Sequence, residues 1–242
     1  MWYPIYNNIT MNIEICTDCV EGAVIAEKYN AKRIELCSAL SVGGLTPSFG
    51  LIKQCVKNSL VEVHVIIRPK EGDFNYSTID IEVMKTDLKM AKEAGASGVV
   101  FGILNKSNEV SELNLELLKI AKNLGLEVTF HRAFDFVKDY KKAVEKLIEM
   151  KFDRLLTSGL QLTALEGLDV ISYLQDNYGD KIQIMAGSGI NQSNALKISL
   201  SGINNIHFTA RKLVKSVSEF SMGENIEIDE EKIKGISNIF SA

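Results

Sequence analysis

Charged, sulfur-bearing and imidazole side chains in this sequence stand inside segments that otherwise read as buried strand. In 33–37, RIELC, alternation puts Arg33, Glu35 and Cys37 on one face and Ile34 and Leu36 on the other. Ile34 and Leu36 suit packing against helices, which leaves Arg33, Glu35 and Cys37 facing a site. The same parity groups Glu14 with Cys16, and His64 with Arg68. An isolated buried ion costs several kcal/mol or more, so these charges need partners. One arrangement is an ion-pair lattice that plugs the interior, Arg33 with Glu35 or Arg68 with Glu14. The other is a polar pocket. There Glu14 or Glu35 takes a proton, His64 or His131 returns one near neutral pH, and Arg33, Arg68 and Arg132 hold an anionic group.

The stretch 129–135, TFHRAFD, ends a strand on His131, Arg132 and Asp135. His131 is a candidate acid, base or metal ligand. Asp135 either orients it or caps the following helix, and the cap is the favoured reading. All three histidines, His64, His131 and His207, fall on expected strands. The first two are the more suggestive of chemistry.

Cys16 and Cys37 end neighbouring strands. Adjacent parallel strands lie about 4.8 Å apart, so the two thiols can approach each other. Two thiolates suit a soft ion such as Cu(I), and two ordinary buried cysteines are the alternative. Cys16 and Cys19 also form a C-x-x-C at a strand–helix turn, a spacing that fits thiol redox chemistry or Cu(I). Gly43–Gly44, Gly187-Ser188-Gly189 and the turn at 207–210 let backbone N–H groups approach a ligand, or simply make tight turns.

The elements that would carry these residues repeat one pattern: short apolar strand, glycine or polar turn, amphipathic helix. Strands are expected at 13–16, 33–37, 61–68, 98–102, 127–131, 154–157, 183–186 and 205–209, with a final helix at 230–240. Eight alternating units in 242 residues predict a single (β/α)8 TIM-like barrel with parallel strands. In such a barrel the strand ends and the loops after them form one active face, and the unusual residues lie there. The loops after strands seven and eight are the usual phosphate site of these barrels.

A net charge of −4 with dispersed Lys and Arg gives no basic footprint for nucleic acid. No apolar run reaches the ~20 residues of a membrane span. The start of the chain has neither a cationic stretch nor a long apolar middle, so a cytoplasmic location and reduced thiols are expected. No linker or charge block marks a second domain. The expected organisation is a leader at 1–10 and one domain at 11–242.

The motifs RIELCSAL, GGLTPS, HVIIRP, GDFNYS, GVVFGIL, VTFHRAFD, LLTSG, IMAGSGI and HFTA, in this order, resemble the CutC copper homeostasis protein family over most of the chain, from Glu14 to Ala210. The resemblance implies a barrel, a cytoplasmic location, self-association as a dimer or tetramer, and Cu(I) binding by cysteines. The family cysteines fall on Cys16 and Cys37. Its polar cavity positions fall on Glu14, Arg33, Glu35, His64, Arg68, His131, Arg132 and Asp135. Cys19 stands where the family more often has serine, and Lys70–Glu71 replaces a basic–glycine pair. The reading is therefore a Cu(I)-binding protein with Cys16 and Cys37 as ligands and Cys19 as a further candidate. The rival is an enzyme of aldolase, isomerase or epimerase type acting on a small anionic or phosphorylated substrate. There Arg33, Arg68, Arg132 and the loop Gly187, Ser188 and Gly189 would bind the anion, and Glu14, Glu35, His64, His131 and Asp135 would serve the chemistry. A third option is a divalent-metal hydrolase using His64, His131 and carboxylates.

Overall fold

A computed structural model describes residues 11–214 and 224–241. The expected leader at 1–10 lies outside them. Eight strands close into one parallel barrel in sequence order: β1 (Asn12–Thr17), β2 (Arg33–Leu36), β3 (Glu62–Ile66), β4 (Gly98–Phe101), β5 (Glu127–Phe130), β6 (Arg154–Thr157), β7 (Gln183–Gly187) and β8 (Asn205–Thr209). β8 pairs with β1, through Asn12↔Asn205 to Cys16↔Thr209. The helices α1 (Val20–Lys28), α2 (Phe49–Asn58), α3 (Thr78–Glu93), α4 (Leu113–Asn123), α5 (Tyr140–Met150), α6 (Leu168–Tyr178), α7 (Ala195–Ser199) and α8 (Glu230–Phe240) follow the strands in turn. The expected barrel is therefore the observed one.

Alternation along the strands separates two apolar clusters. Ile15, Ile34, Leu36, Val63, Val65, Val99, Phe101, Val128 and Phe130 join helix residues such as Ala23, Ile52, Met84, Leu88, Leu117 and Leu147 in the large core between sheet and helices. Cys16, Cys37, Ile66 and Val100 form a second, small cluster on the other face of the strands, inside the barrel. Most of the remaining interior is polar, and Glu14, Arg33, Glu35, His64, Thr129, His131, Arg154 and His207 are all buried.

Seven barrel strands begin on a polar residue, and six of these residues are Arg33, Glu62, Glu127, Arg154, Gln183 and Asn205. Together they build a floor. Arg154 donates to Gln183 Oε1, Thr129 Oγ1 and Glu127 Oε2, each at 3.0 Å. Arg33 donates from Nε to Glu14 Oε2 at 2.7 Å and from Nη2 to Asn205 Oδ1 at 3.1 Å. A buried guanidinium is tolerable with this many acceptors, and the fork also fixes the side chain.

One feature differs from the sequence reading. A two-stranded antiparallel ribbon, β9 (Arg211–Val214) with β10 (Asn225–Ile228), stands between β8 and α8.

Candidate functional site

A cavity of about 280 Å³ opens at the carboxyl ends of the strands. Every strand unit except the fourth contributes to its lining, through Cys16, Glu35, Arg68, His131, Leu156, Ser188 and His207 among others. Each is delivered by a strand end or by the loop behind it, the place where such barrels hold their sites.

The base of the cavity, above that floor, carries sulfur and charge. Cys16 and Cys37 are free thiols with Sγ atoms 3.9 Å apart. The ligand atoms of Cys16, Glu35 and His207 lie within 4.8 Å of one another. His207 Nδ1 meets Glu14 Oε1 at 2.7 Å, and its Nε2 stands 3.8 Å from Glu35. Burial works against charge on His207, but Glu35 and Glu14 outweigh it and raise its pKa. Glu14 is also opposed by burial, yet its hydrogen bond to His207 and the charges of His207, Arg33 and Arg154 hold it well below the usual carboxylate range. Burial raises Glu35, and repulsion from Glu14 adds to that against the pull of His207. The hydrogen bond with Cys37, burial and the nearby Glu35 push the Cys16 thiol well up.

The wall is built by Arg68, Phe74, His131 and Arg132. Arg68 Nη1 donates to the carbonyls of Val42 and Gly44, and Nη2 to that of Gly72, each at 2.9 Å. These bonds tie the loop behind β2 to the loop behind β3. The guanidinium lies over Phe74, 5.4 Å from the ring centroid, and the same ring packs at 4.9 Å against His131. His131 Nδ1 accepts from the Ala133 N–H at 3.2 Å. Burial and the charge of Arg68 bring the His131 pKa down to about 3. Gly102 makes room for this ring, since a Cβ there would stand 2.8 Å from Nδ1.

Several expected residues are placed elsewhere. Arg33 belongs to the floor, its guanidinium shared between Glu14 and Asn205, and does not line the cavity. His64 is fully buried beneath it, close to Glu62 and Glu127 at the amino ends of the strands, where Arg33 and Arg154 already face the same carboxylates. His207 rather than His64 lines the cavity, although each is the third residue of its strand. His207 pairs with Gly187, the last residue of β7, and His64 with Gly98, the first of β4. Parity predicts which way a side chain faces but not its height in the barrel.

Asp135 neither caps α5 nor touches His131. Its carboxylate accepts from Arg132 Nε at 2.8 Å, Thr157 Oγ1 at 2.5 Å, and the Ser158 N–H and hydroxyl at 3.0 and 2.9 Å. The cap of α5 is Asp139, which accepts from the N–H groups of Lys141 and Lys142. Cys19 is separate from the Cys16–Cys37 pair. It precedes α1 and packs against the outer core, where its carbonyl accepts from Cys55 Sγ. Gly187 ends β7, while Ser188 and Gly189 take positive φ of 81° and 71° and line the cavity. Lys232 of α8 also lines it and carried no sequence signal, because nothing in the strand pattern reaches α8.

A model of the CutC family matches residues 11–212. A family protein CutC from Glaesserella parasuis serovar 5 (strain SH0165) is 41% identical over 96% of this chain and 99% of its own length. The copper homeostasis protein cutC homolog of Homo sapiens is 44% identical over 92% of this chain and 83% of its own. A CutC crystal structure from Streptococcus agalactiae superposes with a TM-score of 0.77 at 31% identity, covering 82% of this chain and 98% of that one. With the family matched from β1 through the start of β9 and relatives of this identity spanning most of the barrel, the chain belongs to the CutC family.

Proposed function

We propose that this protein binds Cu(I) at the base of the barrel mouth and serves copper handling, with Cys16 and Cys37 as the ligands. The observation that carries the proposal is the 3.9 Å separation of two free thiols inside the barrel. Thiolates bonded at about 2.3 Å to a d¹⁰ ion stand up to about 4.6 Å apart when opposed, so the two sulfurs need little movement to share one. Soft thiolates select Cu(I) over harder ions. Glu35 and His207 lie beside Cys16 as additional donors. Cys19 has no part in the set, since it packs with the helix layer. The name of the human relative, a copper homeostasis protein, supports the same reading.

The expected cell location is the cytoplasm, and the expected assembly is a homodimer or homotetramer. Among the described residues no helix is long and apolar enough to cross a membrane. Light scattering behind size-exclusion chromatography tests the assembly, and a monomer mass would refute it.

A competition titration against a chromogenic Cu(I) chelator, run without oxygen, tests the ligands. The native chain should withdraw copper from the chelator, and the Cys16→Ser, Cys37→Ser double variant should not. The Cys19→Ser variant should behave as the native chain does. Equal affinity in the double variant would end the assignment. Because copper must displace the Cys16 proton, whose pKa is raised, uptake should strengthen as pH rises and should release protons.

A further inference from the structure

Beside the thiols, the same cavity holds positive charge that no carboxylate neutralises. Arg68 is 4% exposed, and among the described residues its Nε has no hydrogen-bond partner and no carboxylate lies within ion-pair distance of it. Three carbonyls accept from this guanidinium, but a buried charge without a counter-ion remains costly until something anionic joins it. Lys232 also lines the cavity, donating only to the Thr209 carbonyl and again without an ion pair among the described residues. Of the described acidic residues, Glu35 alone lines the cavity.

His131 adds a directed donor. Its Nδ1 accepts from the Ala133 N–H, so the neutral ring must carry its proton on Nε2. That Nε2 is buried and without a partner among the described residues. The ring is 6% exposed and is held by Phe74 and by the space over Gly102. A buried donor without an acceptor costs about 1–3 kcal/mol, which an oxygen brought by a ligand would recover. The low His131 pKa agrees with a neutral donor at physiological pH.

We propose that this cavity is a binding site for a small organic anion whose carboxylate or phosphate is held by Arg68 and Lys232 and whose adjacent oxygen accepts from the Nε2–H of His131. At about 280 Å³ the cavity is at the small end of ligand pockets, sized for a short carbonyl or hydroxy acid or its phosphate ester rather than a nucleotide. The proposal stands apart from the copper reading, because it uses none of the thiol atoms.

Calorimetric titration with three probes tests it: inorganic phosphate, pyruvate and 2-phosphoglycolate. Saturable binding of at least one is expected, and the strongest of the three distinguishes a phosphate seat from a carboxylate seat. His131→Phe and Lys232→Met should each weaken that binding about tenfold or more, the scale of a hydrogen bond to a charged group. The titrations are run on the metal-free protein, which separates this result from any failure of copper binding. A second readout does not depend on any variant's folding. The imidazole ¹⁵N spectrum of the native chain should show His131 as the neutral Nε2–H form at pH 7, with the Nε2 resonance shifting on addition of the binding probe. No saturable binding by any probe up to millimolar concentration, or binding that is indifferent to both substitutions, or an Nδ1–H tautomer, would overturn the proposal.

Discussion

Glu14 is the residue on which the barrel's polar interior turns. It meets Arg33 with one carboxylate oxygen and His207 with the other, both at 2.7 Å, and it is fully buried. Removing one partner from such a pair leaves an uncompensated charge, so Glu14→Gln should lower stability by about 3–5 kcal/mol in urea denaturation. The pH dependence has two limbs. The Glu14 pKa is lowered by folding, so its contribution is full above the ordinary value of 4.5 and is lost as pH falls below it. The His207 pKa is raised, so its contribution is full below 6.5 and is lost as pH climbs through the folded value. Stability should therefore peak between these limits, and His207→Gln should abolish the alkaline decline while keeping the acid one. A native-like alkaline decline in that variant would refute the assignment. The sequence revealed that Glu14, Cys16, Glu35 and Cys37 point inward, because alternation in a strand settles facing. It did not reveal that Arg33 pairs with Glu14 rather than Glu35, since that contact crosses between strands.

At the scale of elements, strand and helix periodicity was readable because one face of each strand is uniformly apolar. β6 and β8 were located to the residue, as was α8. The β9–β10 ribbon leaves no such pattern, because neither strand packs on the main core along its length. Its first strand, Arg211–Val214, has no buried residue, and in its second only Ile228 is buried. The junction between β5 and α5 is ambiguous in sequence for a different reason. Two aspartates precede α5, and the one four residues closer, Asp139, takes the cap. Asp139→Ala should cost about 1 kcal/mol by chemical denaturation, the usual loss for a cap. Asp135→Ala should cost more than Asp139→Ala, because it strips acceptors from Thr157, Ser158 and Arg132 together. A smaller loss for Asp135→Ala would show that its network carries no weight.

For the whole molecule, barrel closure is what turns local residue choices into a site. β1 and β8 are distant in sequence, and their pairing brings His207 to Glu14 and Thr209 to Cys16. Polar first residues close the lower end, so the charged interior is divided into an ion-paired floor and a mouth with open valences. A resemblance in sequence could name the family and the barrel. It could not give the stagger between strands, which decides whether an inward residue lies in the floor or in the mouth. X-ray absorption at the copper edge, on the protein loaded with one equivalent of Cu(I), tests the central claim most directly. Two sulfur scatterers in the first shell, lost on substitution of both Cys16 and Cys37 by serine, are the predicted result; a shell of nitrogen and oxygen alone, unchanged by that substitution, would contradict it.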